Sequence, residues 1–265
     1  AAHQTSVDRS VAIKVLNREF SENSDIVRRF HQEALAASKL NHPHTISVYD
    51  FGQSDGLLYI AMEHLRGDTL KAIIEDEETL DVTRALEIIR QVLKSVGEAH
   101  RQGIIHRDIK PENIFLNEID GETDFVKVLD FGVAKIRRPD GEPGTLTQAG
   151  TVFGTPKYMA PEQSRDVVLD ARSDLYSIGI VLYEMLMGTP PFQSENPLSI
   201  LLSHAHTQPD RFGERQPHLQ LPAAIEAVVF KALAKDRDLR HQDADELLGE
   251  VDGLLKQLRG ETSNI

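Results

Sequence analysis

Residues 104–116, which read Ile-Ile-His-Arg-Asp-Ile-Lys-Pro-Glu-Asn-Ile-Phe-Leu, constrain the fold more than any other stretch of the chain. Aliphatic and aromatic residues form both ends of this stretch. The polar side chains between them include His106, Arg107, Asp108, Lys110 and Asn113. Apolar ends predict an anchor in a core, where charges are costly unless they are paired, bind a metal or take part in chemistry. The stretch therefore predicts a functional loop that is fixed at both ends.

Composition argues against several classes of function. The net charge is −13 at pH 7, so we expect no binding to nucleic acid or to an anionic membrane surface. There is no cysteine, which rules out disulfides and thiolate metal sites and fits a cytoplasmic location. The longest apolar run, residues 178–183, is far too short to span a membrane. Because the 265 residues begin Ala-Ala-His, we expect a piece of a longer protein, in which a membrane anchor could lie elsewhere.

The first part of the chain is rich in predicted strands. Residues 11–16 form a short apolar run that predicts a strand, and residues 26–37 show the spacing of a helix. Residues 46–51 and 57–62 are separated by a short stretch that contains Gln-Ser-Asp-Gly, which predicts an antiparallel pair of strands. This part of the chain therefore predicts a small sheet with one helix.

The second part is mainly helical, so the fold class is α+β. Apolar residues from 85 to 100 recur on one helical face, and residues 126–129 predict a short strand. Residues 137–154 are polar and lack periodicity, which is typical of a functional or mobile loop. Further helices are predicted in three ranges: 173–187, 223–235 and 244–258.

Four other motifs are weak signals when they are taken singly. Lys14 lies inside the strand Val-Ala-Ile-Lys, and a lone strand lysine usually extends to solvent. Glu33 in the following helix would usually be a solvated residue. Asp130-Phe-Gly is by itself a common turn, and the segment Ala-Pro-Glu that ends at Glu162 is by itself merely a loop.

In this order and spacing, however, the motifs together resemble the eukaryotic-type (Hanks-type) protein kinase family. The resemblance extends from residue 11 to residue 240, and within the family the sequence is most similar to bacterial serine/threonine kinases. Lys110 in Asp-Ile-Lys-Pro-Glu-Asn and the segment 154–162 are typical of the serine/threonine branch. The resemblance implies a two-lobed fold, with an antiparallel-sheet N-lobe in residues 1–64 and a larger, mainly helical C-lobe in residues 65–265.

The resemblance implies a protein kinase that uses ATP and phosphorylates Ser or Thr hydroxyls of proteins. Phosphoryl transfer needs positioning and charge neutralisation more than covalent chemistry. Lys14 would hold the α- and β-phosphates, and Glu33 would fix Lys14 by an ion pair. Asp130 and Asn113 would supply oxygen ligands to Mg²⁺, for which Mn²⁺ could substitute.

Three residues would act at the transferred phosphate. Asp108 would orient the substrate hydroxyl and accept its proton, and Lys110 would reach the γ-phosphate as charge develops. In the family, the residue that corresponds to Thr155 contacts this aspartate and this lysine. The resemblance therefore implies that the polar loop meets nucleotide, metal and substrate.

The resemblance also implies an adenine pocket. Its residues would be Ala12, the gatekeeper Met62, a hinge from Glu63 to Leu65, and Phe115 beneath the ring. The hinge would bind through backbone groups, so the identities of its side chains carry little information.

Other residues would have structural or regulatory roles. His106 is expected to be structural, Asp174 to brace the catalytic loop, and Glu162 to pair with Arg240 in a partly buried ion pair. Regulation by autophosphorylation is expected on Thr151, with Thr147 as the next candidate. A phosphate there could pair with Arg107 and order the loop.

One departure from the family pattern lies at the start of the sequence. The family's Gly-x-Gly-x-x-Gly loop should precede Lys14, and residues 1–13 contain no glycine. We therefore expect the first strand and this loop to be absent, leaving the sheet that contains Lys14 with an exposed edge and an uncovered apolar face. Residues 1–265 alone would then bind ATP weakly and turn over poorly.

Two alternatives to a protein kinase remain. A small-molecule kinase of the aminoglycoside-phosphotransferase type is disfavoured by Lys110, Thr155 and the long segment that ends in Ala-Pro-Glu. A pseudokinase that acts as a scaffold is disfavoured because Lys14, Asp108 and Asp130 are all present. A Mg²⁺-dependent nucleotide-binding assay would distinguish a protein kinase from these two alternatives.

Overall fold

The computed structural model describes residues 2–4, 8–16, 21, 24–119, 121–131, 156–164, 168–219 and 221–260. Five side chains within these ranges lie outside the description: Gln4, Asp25, Arg29, Glu33 and Glu122. Thr147, Thr151 and Thr155 lie outside the described residues, so the predictions that concern them are not tested by the structure.

The first sheet has four antiparallel strands in the order β1-β2-β4-β3. Its strands are β1 (Ala2–Gln4), β2 (Arg9–Val15), β3 (Val48–Ser54) and β4 (Leu57–Glu63). A tight turn at Asp55 and Gly56, both with positive φ, joins β3 to β4 and confirms the predicted strand pair. Helix α1 (Ser24–Ser38) packs on the sheet through buried Phe30 and Ala34.

A strand that the sequence did not predict precedes the strand of Lys14, whereas the expected absence of the family's first strand and glycine-rich loop stays a prediction. β1 pairs with β2 from Ala2 opposite Val11 to Gln4 opposite Arg9, so it covers the first part of the edge of β2. Strand β1 is only three residues long, too short to show an alternation of apolar and polar residues. Its pairing depends on backbone hydrogen bonds, which no side-chain pattern records.

The second sheet is smaller and antiparallel, in the order β5-β6-β7. Its strands are β5 (Gly67–Thr69), β6 (Ile114–Ile119) and β7 (Glu122–Val128). The helices that follow β5 are α2 (Leu70–Glu77), α3 (Val82–Arg101), α4 (Ala171–Met187), α5 (Pro197–His206), α6 (Phe212–Arg215), α7 (Ala223–Ala232) and α8 (Ala244–Leu258).

Helices α3 and α4 form the centre of this part of the molecule. Asp81 caps α3 by accepting hydrogen bonds from Thr83 N and Arg84 N, and the apolar face of α3 is buried. Helix α4 is buried around its circumference because α3, α7 and α8 pack against it. It ends at Gly188, whose φ is +77° and where a Cβ would lie 2.7 Å from the Glu78 carbonyl oxygen.

Most predicted helices are confirmed, with small changes at their ends. The helix predicted over 223–235 ends at Ala232, and the strand predicted over 126–129 begins earlier, at Glu122. Sequence periodicity missed β5, α2 and α5, which are short elements. Among the described residues, no helix combines the length and the apolar character that crossing a membrane requires.

Candidate active site

The loop of residues 104–110 is fixed by a buried carboxylate at the start of α4. Asp174 accepts hydrogen bonds at 2.8 Å from His106 N, Arg107 N and His100 Nε2. Burial alone would raise the pKa of Asp174, but the hydrogen bonds from His100 and from the His106 backbone hold this pKa below its ordinary value. The predicted bracing contact between Asp174 and the loop of Asp108 is confirmed.

Asp108 lies at the centre of the polar cluster. Lys110 Nζ donates to Asp108 Oδ2 at 2.8 Å, and Asn113 Nδ2 donates to the Asp108 carbonyl oxygen at 2.8 Å and to Oδ2 at 3.1 Å. Among the described residues, the hydrogen bonds to this carboxylate therefore fall on Oδ2. Oδ1 accepts no hydrogen bond from the described residues.

His106 joins this loop to the segment that follows β7. It is fully buried, and its Nε2 lies 2.7 Å from the Leu129 carbonyl oxygen. Its ring centroid lies 4.7 Å from that of Phe131, which is also buried. The expectation of a structural role for His106 agrees with these contacts.

Two residues of the site have left-handed backbone conformations. Arg107 has φ of +67° and Asp130 has φ of +56°, both uncommon for residues with a Cβ. The Arg107 backbone is held by Asp174 on one side and by Gln163, whose Nε2 donates to the Arg107 carbonyl at 3.0 Å, on the other. Such strain persists where surrounding contacts over-determine the backbone, and it is concentrated at functional sites.

Lys14 extends from β2 towards the same cluster. Its Nζ lies 2.5 Å from Asp130 Oδ2, and both side chains are partly buried. The sequence predicted Glu33 as the partner of Lys14. The Glu33 side chain lies outside the described part of the chain, so that pairing stays a prediction. What the structure shows is that a strand lysine and the aspartate after β7 face each other.

The oxygen ligands expected for Mg²⁺ lie close together in the fold. Leu129 N donates to the Asn113 carbonyl oxygen at 2.8 Å, which places Asn113 next to the residue before Asp130. Because the Asn113 amide nitrogen donates to Asp108, its side-chain oxygen is the atom that remains for a metal. A carboxylate and an amide oxygen suit Mg²⁺, which takes few protein ligands besides phosphate and water. Within the described ranges, no group of three or more His, Asp or Glu side chains could form an all-protein metal site.

The predicted adenine residues come from both sheets. Ala12 and Met62 are register partners on β2 and β4, and Phe115 lies on β6. The connector after β4, which contains Leu65, is tied to β6 because Arg66 N donates to Asn117 Oδ1 at 2.8 Å. The fold thus brings the hinge beside the strand of Phe115. Adenine binding by these residues stays a prediction.

A buried ion pair anchors the segment that ends at Glu162. Arg240 donates to both carboxylate oxygens of Glu162, at 2.7 and 2.9 Å, and Ser173 Oγ adds a third hydrogen bond at 2.8 Å. Burial raises the pKa of Glu162, but the hydrogen bond and charge of Arg240 outweigh it and lower this pKa below the ordinary value. The predicted pairing of Glu162 with Arg240 is confirmed.

Sequence reasoning missed one polar contact beside this segment. Tyr158 donates from its hydroxyl to Glu184 Oε2 at 2.7 Å, and the ammonium of Lys71 lies 3.7 Å from Oε1. Burial raises the pKa of the Glu184 carboxyl. Glu184 was visible in the sequence as the charge that ends the apolar run of residues 178–183. An acid at the end of such a run in a core helix is the signal that could have indicated a buried partner.

Comparison with known proteins places this chain in a family. The sequence profile of the protein kinase domain matches residues 1–250, so the chain belongs to the protein kinase family. It has the fold of that family, with a small antiparallel sheet in the N-lobe and a mainly helical C-lobe. The kinase domain of Mycobacterium tuberculosis PknI is a structural neighbour, with a TM-score of 0.70 and 27% identity, over 92% of this chain and 85% of that one.

The curated relatives are bacterial serine/threonine-protein kinases. Pkn3 of Myxococcus xanthus is 43% identical over 259 residues, which is 97% of this chain and 47% of that protein. PknB of Mycobacterium tuberculosis is 40% identical over 254 residues, which is 94% of this chain and 39% of that protein. The chain therefore spans less than half the length of these relatives.

Proposed function

We propose that this chain is the catalytic domain of a serine/threonine protein kinase, which transfers the γ-phosphate of ATP to Ser or Thr hydroxyls of proteins. The observation that carries the proposal is the position of Asp108, whose Oδ2 is held by Lys110 and Asn113. This leaves Oδ1 to orient a hydroxyl and to accept its proton. Lys110, 2.8 Å from the same carboxylate, can stabilise negative charge on the transferred group.

Other residues of the chain would position ATP. Lys14 would contact the α- and β-phosphates, and Glu33 would hold Lys14 in place. Asp130 and Asn113 would bind Mg²⁺, or Mn²⁺ in its place, which neutralises phosphate charge when bound. Thr155 would contact Asp108 and Lys110 and complete the site.

The adenine ring would lie between the two sheets. Ala12 and Met62 would contact it from the first sheet, and Phe115 from the second, with backbone groups of Glu63 and Leu65 as hydrogen-bonding partners. In this proposal the N-lobe comprises residues 1–64 and the C-lobe residues 65–265. The boundary is supported by the sheets, because the first ends at Glu63 and the second begins at Gly67.

The same site would be regulated by autophosphorylation at Thr151, with Thr147 as the second candidate. Arg107 supports this, because its side chain is exposed while its backbone is held by Asp174 and Gln163. A cation in a fixed position can pair with a phosphate that carries about −1.5 to −2 charges. Mass spectrometry of full-length protein treated with ATP and Mg²⁺ tests this, with Asp108→Asn as the inactive control. Absence of phosphate from Thr147 and Thr151 would contradict it.

We propose that the whole protein acts on protein substrates and that its kinase domain is cytoplasmic. We propose no role for it in binding nucleic acid. Any membrane anchor would lie outside the described residues, among which no helix could cross a membrane.

The catalytic assignment is tested by two aspartate variants in the full-length protein. Asp108→Asn should abolish phosphate transfer to casein but retain Mg²⁺-dependent ATP binding, because the carboxylate that faces the hydroxyl is lost. Asp130→Asn should abolish phosphate transfer and also weaken Mg²⁺-dependent ATP binding, because a metal ligand is lost. Asp245→Asn, a matched change at an exposed aspartate of α8, should retain both. Near-normal turnover in Asp108→Asn would refute the assignment, and a wild type that binds ATP without turnover would favour the pseudokinase.

A further inference from the structure

Lys127 is a buried lysine that the proposed chemistry does not use. It lies on β7 with 8% of its surface exposed, and its Nζ contacts Glu63 Oε1 at 2.8 Å. Glu63 is the last residue of β4, and its side chain is also mostly buried. Burying a charge pair is costly, and a buried pair is often no more stabilising than apolar residues of similar size. Stability alone is therefore a weak explanation for this pair.

The pair joins three segments of the chain. Glu63 Oε1 accepts a hydrogen bond from Ser47 N at 2.7 Å, and Glu63 N donates to the Ser47 carbonyl at 3.0 Å. Lys127 Nζ also lies 3.5 Å from the Thr45 carbonyl. The end of β4, the strand β7 and the connector of residues 44–47 thus meet at two side chains.

Backbone hydrogen bonds continue this junction towards the site. Val128 N donates to the His44 carbonyl at 2.8 Å, and Ile46 N donates to the Val128 carbonyl at 3.0 Å. Thr45, whose hydroxyl lies 2.7 Å from that of Ser95, is bound in turn to α3. Asp130 lies two residues beyond Val128. The junction therefore connects the hinge at Glu63 with the proposed metal ligand through a short, hydrogen-bonded path.

We propose that Lys127 and Glu63 are positioning residues that fix the hinge backbone relative to Asp130. This inference rests on the proposed function, in which the hinge binds adenine and Asp130 binds the metal at the phosphates. ATP must reach both places at once, so their separation has to match the length of the nucleotide. A pair that ties β4 to β7 holds this separation before ATP binds, which lowers the cost of ordering the site.

The test compares steady-state kinetics of the full-length protein, four variants of the pair and one control variant. Lys127→Met removes the charge and keeps an unbranched side chain. Glu63→Gln removes the other charge but keeps an acceptor for Ser47 N. The double variant closes a mutant cycle, and Lys127→Arg restores a cation. Lys231→Met is the matched control, because Lys231 contacts Glu246 and Glu250 at 2.7 Å on α7 and α8, away from the hinge.

We expect Lys127→Met to raise KM for ATP by roughly three- to tenfold, with kcat within about twofold of wild type. KM for the protein substrate should be unchanged. The double variant should resemble the single variants rather than show the product of their effects, and Lys127→Arg should recover at least half of the loss. Lys231→Met should leave KM for ATP unchanged.

Thermal melting distinguishes a positioning role of the Lys127–Glu63 pair from a merely structural one. If the pair is merely structural, Lys127→Met lowers the melting temperature and leaves KM for ATP unchanged well below it, which would overturn the inference. A higher kcat in Lys127→Met would overturn it too, because the pair would then restrain the enzyme. If Lys127→Met does not fold, the same comparison of melting temperature and KM for ATP is made with Glu63→Gln. A wild type without ATP turnover would instead refute the proposed function.

Discussion

Replacement of Arg240 by methionine should strongly destabilise the fold. The Arg240 side chain is fully buried, and its guanidinium donates to Glu162 and to three backbone carbonyls. The substitution leaves the Glu162 carboxylate, whose side chain is only 9% exposed, with Ser173 Oγ as its remaining donor among the described side chains. Breaking a buried pair in this way costs about 3–5 kcal/mol, because one charge stays buried without compensation.

Urea unfolding followed by circular dichroism at neutral pH measures this loss in the free energy of unfolding. The control is Arg101→Met, since Arg101 is 56% exposed and contacts Glu98 at 3.1 Å. An exposed pair of this kind contributes little to stability, so Arg101→Met should unfold close to wild type. Arg240→Met with Glu162→Gln should lose less stability than Arg240→Met alone, because no buried charge remains. A loss below about 1 kcal/mol for Arg240→Met would refute the reasoning.

The loss of stability in Arg240→Met should also depend on pH. The folded-state pKa of Glu162 is lowered, because the effect of Arg240 outweighs that of burial. The contribution of the pair is therefore present above the unfolded-state pKa of glutamate and is lost as the pH falls through the folded-state pKa. The difference in stability between wild type and Arg240→Met should narrow at acid pH.

Three further variants test the buried groups near the site. Asp174→Asn should lower kcat by roughly tenfold or more, since it weakens the acceptor that holds the loop of Asp108; a kcat equal to wild type would contradict this. Burial lowers the pKa of His204 to about 4, so wild type should lose about 2 kcal/mol of stability between pH 7 and pH 5, where the unfolded chain takes up the proton. His204→Gln should lack this loss in urea titrations. Burial raises the pKa of Glu184, so the stability of wild type should fall as pH rises above the ordinary glutamate pKa, and Glu184→Gln should flatten that slope.

Long helices could be located from the order of residues alone. Helix α8 has the predicted bounds, and α3 extends the predicted range by a few residues, because a buried helical face imposes a period of about 3.6 on the apolar residues. The loop of Asp108 could be identified because polar groups between apolar anchors are rare without a function. The partnership of Glu162 and Arg240 was predictable from the family resemblance, although the two residues lie far apart in sequence.

Other features depend on contacts that no local pattern encodes. β1 is held by backbone pairing over three residues, and the partner observed for Lys14 is Asp130, across a gap of 116 positions. Lys127 and Glu63 meet only because β4 and β7 both pack against the connector of residues 44–47. Periodicity reports which face of an element is buried, whereas the identity of the group that meets a buried charge depends on how the two sheets and the helices pack together. The residue order thus specifies the long elements and the loop of Asp108, and packing selects the partners of their charges.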